Sequence, residues 1–307
     1  MNVLIVGLGS IARKHIQALN TLKAKVKIYA LRSNLNVENE DQVQNIYSLD
    51  NLDVIFDFAI ISNPTYLHYQ FIEELSNRRI PLFIEKPAVN VLDNVQKLID
   101  LVDKKNVTTY IACNLRFHSC LSYLKDKIES ESMRINELNI YCGSHLPDWR
   151  PGKDFRTIYS ANADMGGGVH LDLFHELDYT VWLFGLPNKS SSVLRNVSSL
   201  NIDAVDYANY ILEYDFFTAN IVLNYYRKKP KRIIEIVLDN ETLVVDLINN
   251  SITNDNGEVI FEDKKFVVKD TYSAQLYYFI SCLENKQKPM NSLKESVEIL
   301  KIVLQDE

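Results

Sequence analysis

The sequence lacks the cysteine patterns of metal centres and of disulfide-linked domains. Its four cysteines form no C-x-x-C pair and show no metal-ligand spacing; they are Cys113, Cys120, Cys142 and Cys282. Zinc sites and disulfide frameworks are recognised in a sequence mainly by such spacing. We therefore expect neither a disulfide framework nor a bound metal.

Long apolar runs and an excess of positive charge are absent as well. No stretch reaches the roughly 18 consecutive apolar residues of a membrane span, and the apolar run at residues 1–7 lacks the basic region of a signal peptide. The chain has 33 basic and 40 acidic residues, a formal charge of −7. This balance disfavours binding to nucleic acid or to an anionic membrane. We expect a cytoplasmic protein with neither partner, in which an anionic substrate would need a local basic pocket.

The chain is long enough for two domains with hydrophobic cores, since 47% of its 307 residues are hydrophobic. Residues 1–115 alternate between apolar, strand-like runs and helical segments, which is typical of a doubly wound α/β domain. The predicted strands are Asn2–Val6, Lys25–Ala30, Phe56–Ser62, Pro81–Ile84 and Val107–Ala112. We assign residues 1–115 to a Rossmann domain with a parallel sheet and residues 116–307 to a second α/β domain.

A G-x-G-x-x-A motif at residues 7–12 lies between the first predicted strand and a helical segment. Glycines at such a turn allow the close approach of a pyrophosphate, whose charge is stabilised by the N-terminus of the following helix. The order of strand, turn, helix and strand makes the motif more specific than an isolated match. The sequence therefore predicts dinucleotide binding, with contacts from Gly7, Gly9, Ser10 and Ile11.

The end of the second predicted strand indicates which nicotinamide cofactor is used. NAD enzymes usually place an acid there for the ribose 2′-hydroxyl, but this chain has no acid before Glu38. Arg32 could pair with a 2′-phosphate and Ser33 could hydrogen-bond it; the alternative is a surface arginine without such a contact. NADP is therefore favoured over NAD.

Polar residues follow the other strands, where the carboxyl ends of a parallel sheet face the ligand. Lys86 stands between an acid and a proline and is well placed to contact a substrate oxygen, although an ion pair with Glu85 is the alternative. The predicted cofactor contacts at this edge are Ser62, Asn63, Pro64, His68, Glu85, Lys86 and Asn114.

The segment Gly166–Glu176 begins with three glycines and continues in a helical pattern. The glycines leave the backbone open to a ligand. On a helix, Asp172, His175 and Glu176 share a face at positions i, i+3 and i+4, and such a cluster can transfer protons. The alternative is a helix start with an acidic first turn and a structural histidine.

Residues 146–160 show little periodicity but are rich in Trp, Arg, Lys and Tyr. Long ordered loops of this composition often bind ligands. Arg150, Lys153 and Arg156 could form a positive pocket for a phosphate or carboxylate, and Trp149 or Tyr159 could stack on a sugar ring. A surface loop packed by one tryptophan is the alternative.

From about residue 190 to residue 266 the apolar pattern has period two. The predicted strands are Asp206–Tyr214, Thr218–Tyr226, Arg232–Leu238 and Glu241–Leu247. Turn residues between them predict consecutive hairpins and a large, mainly antiparallel sheet. Four tyrosines could lie on its outer face and serve subunit association, or belong to the core: Tyr210, Tyr214, Tyr225 and Tyr226. Helices are predicted at Tyr272–Leu283 and after a capping box at Ser292–Glu295.

Together, these motifs resemble the glucose-fructose oxidoreductase/inositol dehydrogenase/rhizopine-catabolism (Gfo/Idh/MocA) family of NAD(P)-dependent oxidoreductases. The motifs that match, in the family's order, are residues 7–12, Asn63-Pro64 with His68, Glu85-Lys86-Pro87, Asn114–Phe117 and Gly166–Glu176. The resemblance implies a Rossmann domain, a C-terminal α/β domain with a large open sheet, and a homodimer or homotetramer assembled through that sheet. It also implies a sugar, cyclitol or nucleotide-sugar substrate, with Lys86 as the catalytic lysine and Asp172 as the aspartate of the glycine-rich helix.

One feature departs from the family pattern. The family's usual helix carries its histidine four residues after the aspartate; Glu176 holds that position here, and His175 is one residue earlier. Trp182 and Gly185 keep the usual spacing from Asp172, which argues against a deletion. On a continuous helix His175 is rotated by about 100° from the expected place. The acid/base is therefore either His175 or Glu176, and His175 is favoured because its unperturbed pKa is nearer neutrality.

The leading hypothesis is hydride transfer between NAD(P) and a sugar ring carbon, with a nucleotide sugar or amino sugar of surface-polysaccharide synthesis favoured. Lys86 would stabilise alkoxide charge, His175 or Glu176 would take the hydroxyl proton, and Asp172 would orient the substrate or the base. A redox-neutral enzyme that recycles tightly bound NAD(P) and a dinucleotide-sensing protein without catalysis are the alternatives. The predicted substrate contacts are Arg116, Trp149, Arg150, Arg156 and Tyr159.

Overall fold

The computed structural model describes residues 1–22, 25–33, 42–50, 52–131 and 133–305. The chain divides into two compact units, and each is described by itself. The first unit consists of Met1–Asn114 and Val268–Glu298, and the second of Leu115–Val267 and Ile299–Glu307. The first change of unit lies beside the predicted boundary at residue 115. Residues 268–298, however, which the sequence analysis assigned to the second domain, belong to the first unit.

The first unit is built on a six-stranded parallel sheet with the order β3-β2-β1-β4-β5-β6. Its strands are β1 (Asn2–Val6), β2 (Lys27–Leu31), β3 (Val43–Ile46), β4 (Phe58–Ile61), β5 (Leu82–Ile84) and β6 (Thr109–Ile111). The central strands are buried almost throughout, which explains their continuous apolar runs. This strand order is that of the Rossmann fold, so the predicted doubly wound domain is confirmed.

The helices of the described residues are α1 (Ser10–Asn20), α2 (His68–Asn77), α3 (Val95–Lys105), α4 (Ser119–Ser130), α5 (Val169–Asp172), α6 (His175–Phe184), α7 (Asp270–Glu284) and α8 (Leu293–Leu304). None of the described helices is long and apolar enough to cross a lipid bilayer. The predicted capping box of α8 is present, because Ser292 N and Oγ donate to the Glu295 carboxylate at 2.7 and 2.9 Å.

Helix α7 belongs to the first unit because its apolar face packs on the Rossmann strands. The Phe279 ring lies 5.4 Å from that of Phe58 and 5.7 Å from that of Phe83, edge to face. Asn114 Nδ2 donates to the Thr271 hydroxyl at 2.7 Å. The period of an amphipathic helix reports a buried face but not the sheet that buries it, so the sequence predicted the helix and missed its place.

The second unit is built on an eight-stranded sheet with the order β14-β13-β12-β11-β7-β10-β9-β8. Its strands are β7 (Ile135–His145), β8 (Lys189–Arg195), β9 (Tyr207–Glu213), β10 (Thr218–Asn224), β11 (Tyr226–Leu238), β12 (Thr242–Asp246), β13 (Ser251–Asn254) and β14 (Val259–Glu262). All neighbours are antiparallel except β7 and β10. The predicted fold class, with a large and mainly antiparallel second sheet, is therefore confirmed.

The prediction of consecutive hairpins is wrong at one place. Strand β7, which comes much earlier in the chain, lies between β10 and β11 and pairs with both. Of the tyrosines considered for the outer face, Tyr210 and Tyr225 are fully buried, and the Tyr210 hydroxyl donates to the Val303 carbonyl at 2.9 Å. These two tyrosines belong to the core of the second unit.

Candidate functional site

The glycine loop after β1 has the shape that close approach to a ligand requires. Gly7 has a φ of +83°, and a Cβ at this position would lie 2.6 Å from Asn63 Cα, so a side chain is excluded. No atom lies within 4 Å of the Cβ position at Gly9, which leaves that side open. Ser10 and Ile11 begin α1, whose first turn has no side-chain cap. The N–H groups of this turn suit a phosphate.

Arg32 and Ser33 follow β2 at the same edge of the sheet. The Arg32 backbone N–H donates to the Ile46 carbonyl at 2.9 Å, which fixes the main chain. The Arg32 Nη1 atom is buried and has no hydrogen-bond partner in the described part of the chain. Ser33 is exposed, and Glu38 lies outside the described residues. A buried guanidinium nitrogen without a partner suits an anionic ligand group.

Ser62 and Asn63, which follow β4, have different surroundings. The Ser62 hydroxyl lies 3.2 Å from the Val6 carbonyl and 3.0 Å from the Gly7 carbonyl, so it fixes the glycine loop. Both side-chain amide atoms of Asn63 are buried and have no partner among the described residues. Pro64 is exposed and opens the turn before α2. Asn63 is thus a polar group with full hydrogen-bonding capacity left for a ligand.

His68 is buried and serves the loops around it. Its Nε2 lies 2.9 Å from the Asn63 carbonyl and its Nδ1 lies 3.2 Å from the Ala88 carbonyl. Burial lowers the pKa of His68 below its ordinary value. Because both ring nitrogens face backbone carbonyls, the structure gives His68 a positioning role and does not support the predicted direct contact with the cofactor.

Lys86 follows β5, next to a carboxylate that a buried histidine holds. Glu85 Oε1 lies 2.6 Å from Nε2 of His15, which is on α1 and fully buried. The Lys86 backbone N–H donates to Glu85 Oε2 at 3.3 Å. The pairing with His15, which the sequence analysis missed, shows that the Glu85 carboxylate orders this loop. Asn114, three residues after the end of β6, is also engaged, through its bond to Thr271.

In the second unit, the glycines before α5 are required by close packing. A Cβ at Gly167 would overlap the Tyr159 carbonyl, and Gly168 has a φ of +136°. The Tyr159 hydroxyl donates to the Gly166 carbonyl at 2.7 Å. His170 is buried against Gly168, and burial lowers its pKa to about 4, so this imidazole is neutral at pH 7. Close packing and backbone conformation within the second unit therefore account for these glycines.

The predicted continuous helix through Asp172 and His175 is interrupted. Helix α5 ends at Asp172, Leu173 and Phe174 form a turn, and α6 begins at His175. We predicted a shared face for Asp172, His175 and Glu176, and a rotation of about 100° for His175. Both predictions assumed one regular helix. That assumption is wrong, so the spacing alone does not determine the direction of the His175 side chain.

Asp172 is held by a tyrosine from the neighbouring sheet. The Tyr225 hydroxyl donates to Asp172 Oδ2. Burial, and then the Asp172 carboxylate, raise the pKa of Tyr225 well above its ordinary value, so the hydroxyl stays protonated. The Trp149 ring packs edge-on against Tyr225 at 5.3 Å between centroids, and its Nε1 donates to Ser144 Oγ at 2.9 Å. Trp149, Tyr225 and Asp172 therefore form one packed series.

Glu176 is fully buried and ion-paired, whereas His175 is partly exposed. Arg232 Nε, from β11, donates to Glu176 Oε1 at 2.6 Å. Although burial opposes it, the Glu176 carboxylate raises the pKa of Arg232 above its ordinary value. The Glu176 carboxylate is thus kept from solvent within a buried ion pair. These surroundings are those of a structural residue at Glu176 and of a partly exposed imidazole at His175, whose Nδ1 atom is buried.

Arg116 is buried in a two-bonded ion pair and not presented to a ligand. Its Nε and Nη2 donate to the two carboxylate oxygens of Asp178 at 2.9 and 2.7 Å, and its guanidinium lies 5.9 Å from the Trp182 ring centroid. Arg116 and Asp178 are 6% and 1% exposed. The structure thus does not support the predicted substrate contact, because the guanidinium face that would bind a substrate anion binds Asp178.

Substitution Arg116→Ala is expected to lower the free energy of unfolding by about 3–5 kcal/mol, because it leaves the Asp178 carboxylate buried without its partner. Urea unfolding measures the change. Arg156→Ala is the control: its guanidinium is exposed and donates to the Leu200 carbonyl at 3.3 Å, so we expect a loss within about 0.5 kcal/mol. Equal, small losses for both variants would contradict the structural role of Arg116.

The basic loop at residues 146–160 does not form the predicted positive pocket by itself. Arg150 and Lys153 are exposed, and Arg156 stacks on Phe155 at 4.4 Å from the ring centroid. Among the described residues, no group of three or more His, Cys, Asp or Glu side chains is arranged to hold a metal ion.

Four residues that order these sites were not predicted from the sequence: His15, Asp178, Tyr225 in its bond to Asp172, and Arg232. None of the four stands in a motif or a spacing that indicates its partner. Their partners are between 53 and 70 positions away in the chain. The tertiary fold determines pairing over such separations, and no regular spacing in the sequence indicates it.

The strand order and the glycine loop define the first unit as a dinucleotide-binding Rossmann domain. Residues 1–113 match the family model described as an oxidoreductase family with an NAD-binding Rossmann fold. The resemblance to the Gfo/Idh/MocA oxidoreductase family that the motifs predicted is confirmed over these residues.

Curated relatives are similar to this chain in sequence, and solved structures share its fold. Glucose-6-phosphate 3-dehydrogenase of Bacillus subtilis is 25% identical over 189 residues, which are 59% of this chain and 53% of that protein. The chain spans about half the length of the curated relatives it matches.

Two solved structures have the same fold over nearly the whole chain. UDP-N-acetylglucosamine 3-dehydrogenase GnnA from Acidithiobacillus ferrooxidans matches with a TM-score of 0.78 at 19% identity, over 99% of this chain and 96% of that one. The WlbA dehydrogenase from Bordetella pertussis, in complex with NADH and UDP-GlcNAcA, matches with a TM-score of 0.78 at 16% identity, over 99% and 93%. At these identities the likeness shows the fold.

Proposed function

We propose that the protein is an NAD(P)-dependent oxidoreductase that acts on a ring carbon of a sugar, with a nucleotide sugar or an amino sugar as the substrate class. The observation that carries the proposal is the edge of the parallel sheet. There, an open glycine loop lies beside the buried amide of Asn63 and the buried Nη1 of Arg32, neither of which has a partner among the described residues. Buried polar groups in folded proteins are usually hydrogen-bonded, so these atoms have hydrogen-bonding capacity left for a ligand or for water.

The first unit fits a nicotinamide dinucleotide. The N–H groups of Ser10 and Ile11 would hold the pyrophosphate, and Arg32 with Ser33 would hold a 2′-phosphate, which favours NADP over NAD. Asn63 would hydrogen-bond the ribose or the carboxamide through an amide that both donates and accepts. When bound, the cofactor supplies the hydride acceptor or donor of the reaction.

Lys86 is proposed to stabilise charge at the reacting hydroxyl. An ammonium close to an oxygen that loses its proton lowers the energy of the developing alkoxide. The Glu85 carboxylate, held by His15 at 2.6 Å and bonded to the Lys86 backbone, fixes the main chain from which the lysine extends.

His175 is proposed as the acid/base, with Asp172 as the residue that orients the substrate. His175 is partly exposed, whereas the Glu176 carboxylate is buried and paired with Arg232, which makes Glu176 a poor proton acceptor for a substrate. Tyr225 donates to one oxygen of Asp172. Hydride loss from a sugar carbon requires removal of the hydroxyl proton, and an imidazole performs this near neutral pH.

A sugar substrate is supported by the similar proteins and by the aromatic series at Trp149. The similar proteins include a UDP-N-acetylglucosamine 3-dehydrogenase and a glucose-6-phosphate 3-dehydrogenase. Trp149 is 38% exposed and thus offers part of its ring for stacking on a sugar. A cytoplasmic location and assembly as a homodimer or homotetramer through the second sheet stay predictions.

Absorbance of the reduced nicotinamide tests the proposed activity. The purified full-length chain is mixed with each cofactor, in each redox state, and a panel of UDP-N-acetylglucosamine, glucose 6-phosphate, myo-inositol and glucose. We expect stoichiometric consumption or formation of reduced cofactor with at least one phosphorylated sugar. A cofactor that stays bound and is never consumed stoichiometrically would support redox-neutral recycling, and failure to bind either cofactor would contradict the proposal.

Arg32→Ala is expected to weaken NADP binding by about 10- to 100-fold, since a charge-assisted hydrogen bond to phosphate contributes about 1.5–3 kcal/mol. NAD lacks the 2′-phosphate, so its dissociation constant should change little and serves as the internal control. Fluorescence titration of the reduced cofactors measures both constants. Equal weakening of the two cofactors, or none, would remove Arg32 from the phosphate site.

A further inference from the structure

A concentration of positive charge lies on β11 at residues 227–231, which we call the basic bulge. Tyr226 pairs with His145 of β7, and the next paired residue, Lys231, faces Gly143, so four residues of β11 stand opposite the single residue Ser144. The four are Arg227, Lys228, Lys229 and Pro230. Extra residues in one strand leave the ladder and turn their side chains toward new partners.

Lys228 is oriented by a relay of side chains. Its Nζ lies 2.7 Å from His145 Nε2, and His145 Nδ1 lies 3.0 Å from Asp148 Oδ2. Because an ammonium only donates, Nε2 is the acceptor, and the ring proton is on Nδ1 and is donated to Asp148. A lysine side chain on the surface usually samples many rotamers. The hydrogen bond to His145 favours one rotamer of Lys228.

Arg227 and Lys231 are oriented by one aromatic ring. The guanidinium carbon of Arg227 and the Nζ of Lys231 each lie 5.2 Å from the ring centroid of Tyr141. The Tyr141 hydroxyl accepts from Asn224 Nδ2 at 2.7 Å, which fixes the ring. The Arg227 Nε atom is buried and has no partner among the described residues. The Arg227 Nε–H group can therefore donate a hydrogen bond to a bound ligand.

The charge of the basic bulge is not neutralised within the described chain. None of the ion pairs in the described ranges involves Arg227, Lys228, Lys229 or Lys231. The protein as a whole carries a formal charge of −7, so carboxylates are abundant elsewhere. Arg227 and Lys231, which contact the same ring, carry like charges that repel one another, and an anion of high charge density relieves the repulsion.

The basic bulge is connected to Asp172 through side chains of the same unit. Ser144, opposite the bulge, accepts from Trp149 Nε1 at 2.9 Å. Trp149 packs on Tyr225, and Tyr225 donates to Asp172. This series of contacts therefore begins at the residue that stands opposite the basic bulge and ends at Asp172.

We propose that the basic bulge is the subsite for the phosphate ester of the substrate, and that a diphosphate of a nucleotide sugar is its preferred ligand. The inference rests on the proposed function and specifies its substrate class. Lys228 and Lys229 supply point charges to the phosphate oxygens, and the Arg227 Nε supplies a directed donor. The subsite selects phosphorylated sugars over neutral ones.

Inorganic pyrophosphate is the probe, because it carries the proposed charge and no sugar. Its dissociation constant is measured by titration calorimetry on the full-length chain saturated with NADPH, so that the glycine loop is already filled. We expect the double variant K228Q/K229Q to raise this constant by about tenfold or more. Lys229→Gln alone, which alters no hydrogen bond or ion pair of the described structure, is expected to raise it less and in the same direction.

The control K189Q/K265Q removes two exposed lysine charges elsewhere in the second unit. Unchanged affinity in K228Q/K229Q, or an equal loss in the control, would overturn the subsite. NADPH affinity is measured in every variant and is expected to stay constant. If the wild-type chain binds no NADPH, the proposed function fails. If pyrophosphate binding nevertheless depends on Lys228 and Lys229 in that case, the result supports the subsite even though the proposed function has failed.

Discussion

Substitution of Lys86 by alanine is expected to lower kcat by about a thousandfold while NADP(H) binds as before. Loss of one group that stabilises charge in the transition state typically costs about 10²–10³-fold, and Lys86 is also expected to orient the reacting hydroxyl. The backbone at Lys86 is held through Glu85 and His15, so truncation of the side chain leaves the loop intact. Steady-state kinetics with the best substrate of the panel, together with a cofactor titration, measure the two quantities.

Lys104→Ala is the matched control for Lys86→Ala. Lys104 is an exposed lysine in the last turn of α3, and its truncation removes the same charge from the same unit. We expect wild-type kcat for this variant. Turnover in Lys86→Ala that equals the control would remove Lys86 from the catalytic residues, whereas loss of cofactor binding would give it a binding role instead.

The second large effect separates His175 from Glu176. His175→Asn is expected to lower kcat by about 10²–10⁴-fold with little change in stability, because it removes a general acid/base from a partly exposed site. Glu176→Gln is expected to lower the free energy of unfolding by about 3 kcal/mol, because it leaves the Arg232 charge without the carboxylate that it contacts at 2.6 Å. We expect the part of the kcat–pH profile that depends on histidine ionisation to disappear only in His175→Asn.

Glu213→Gln on β9 is the control for charge removal, since Glu213 is exposed, and we expect stability and turnover close to wild type. The assignment would be reversed if Glu176→Gln kept its stability but lost turnover while His175→Asn stayed active. In that case the buried carboxylate would be the acid/base, and its pairing with Arg232 would have to open during the reaction.

The sequence predicted the first unit well because the signals of that unit are local. Continuous apolar runs mark buried parallel strands, and a G-x-G-x-x-A turn marks the first crossover. Gly7 shows why the motif is specific: a side chain there would overlap Asn63, a residue of the next strand end. The place of α7 was not predictable in the same way, because its period is compatible with either sheet.

The candidate site was less predictable because its residues depend on tertiary packing. The helical pattern after Gly168 ignores the turn at Leu173 and Phe174, which places His175 at the start of a new helix. Arg116 looked available for a substrate, but its partner Asp178 is 62 residues away in the chain. Strand β7 has alternating buried residues, yet its insertion between β10 and β11 is set by sheet assembly and not by that alternation.

Transfer of deuterium from the sugar ring to the cofactor tests the central claim most directly. The chain is incubated with oxidised NADP and with ring-deuterated forms of the sugars in the panel, and the cofactor is then analysed by mass spectrometry. We expect reduced cofactor that carries deuterium from one ring carbon, with the label almost absent in Lys86→Ala and His175→Asn. Bound cofactor that remains unlabelled with every sugar, or label that appears equally in the two variants, would contradict it.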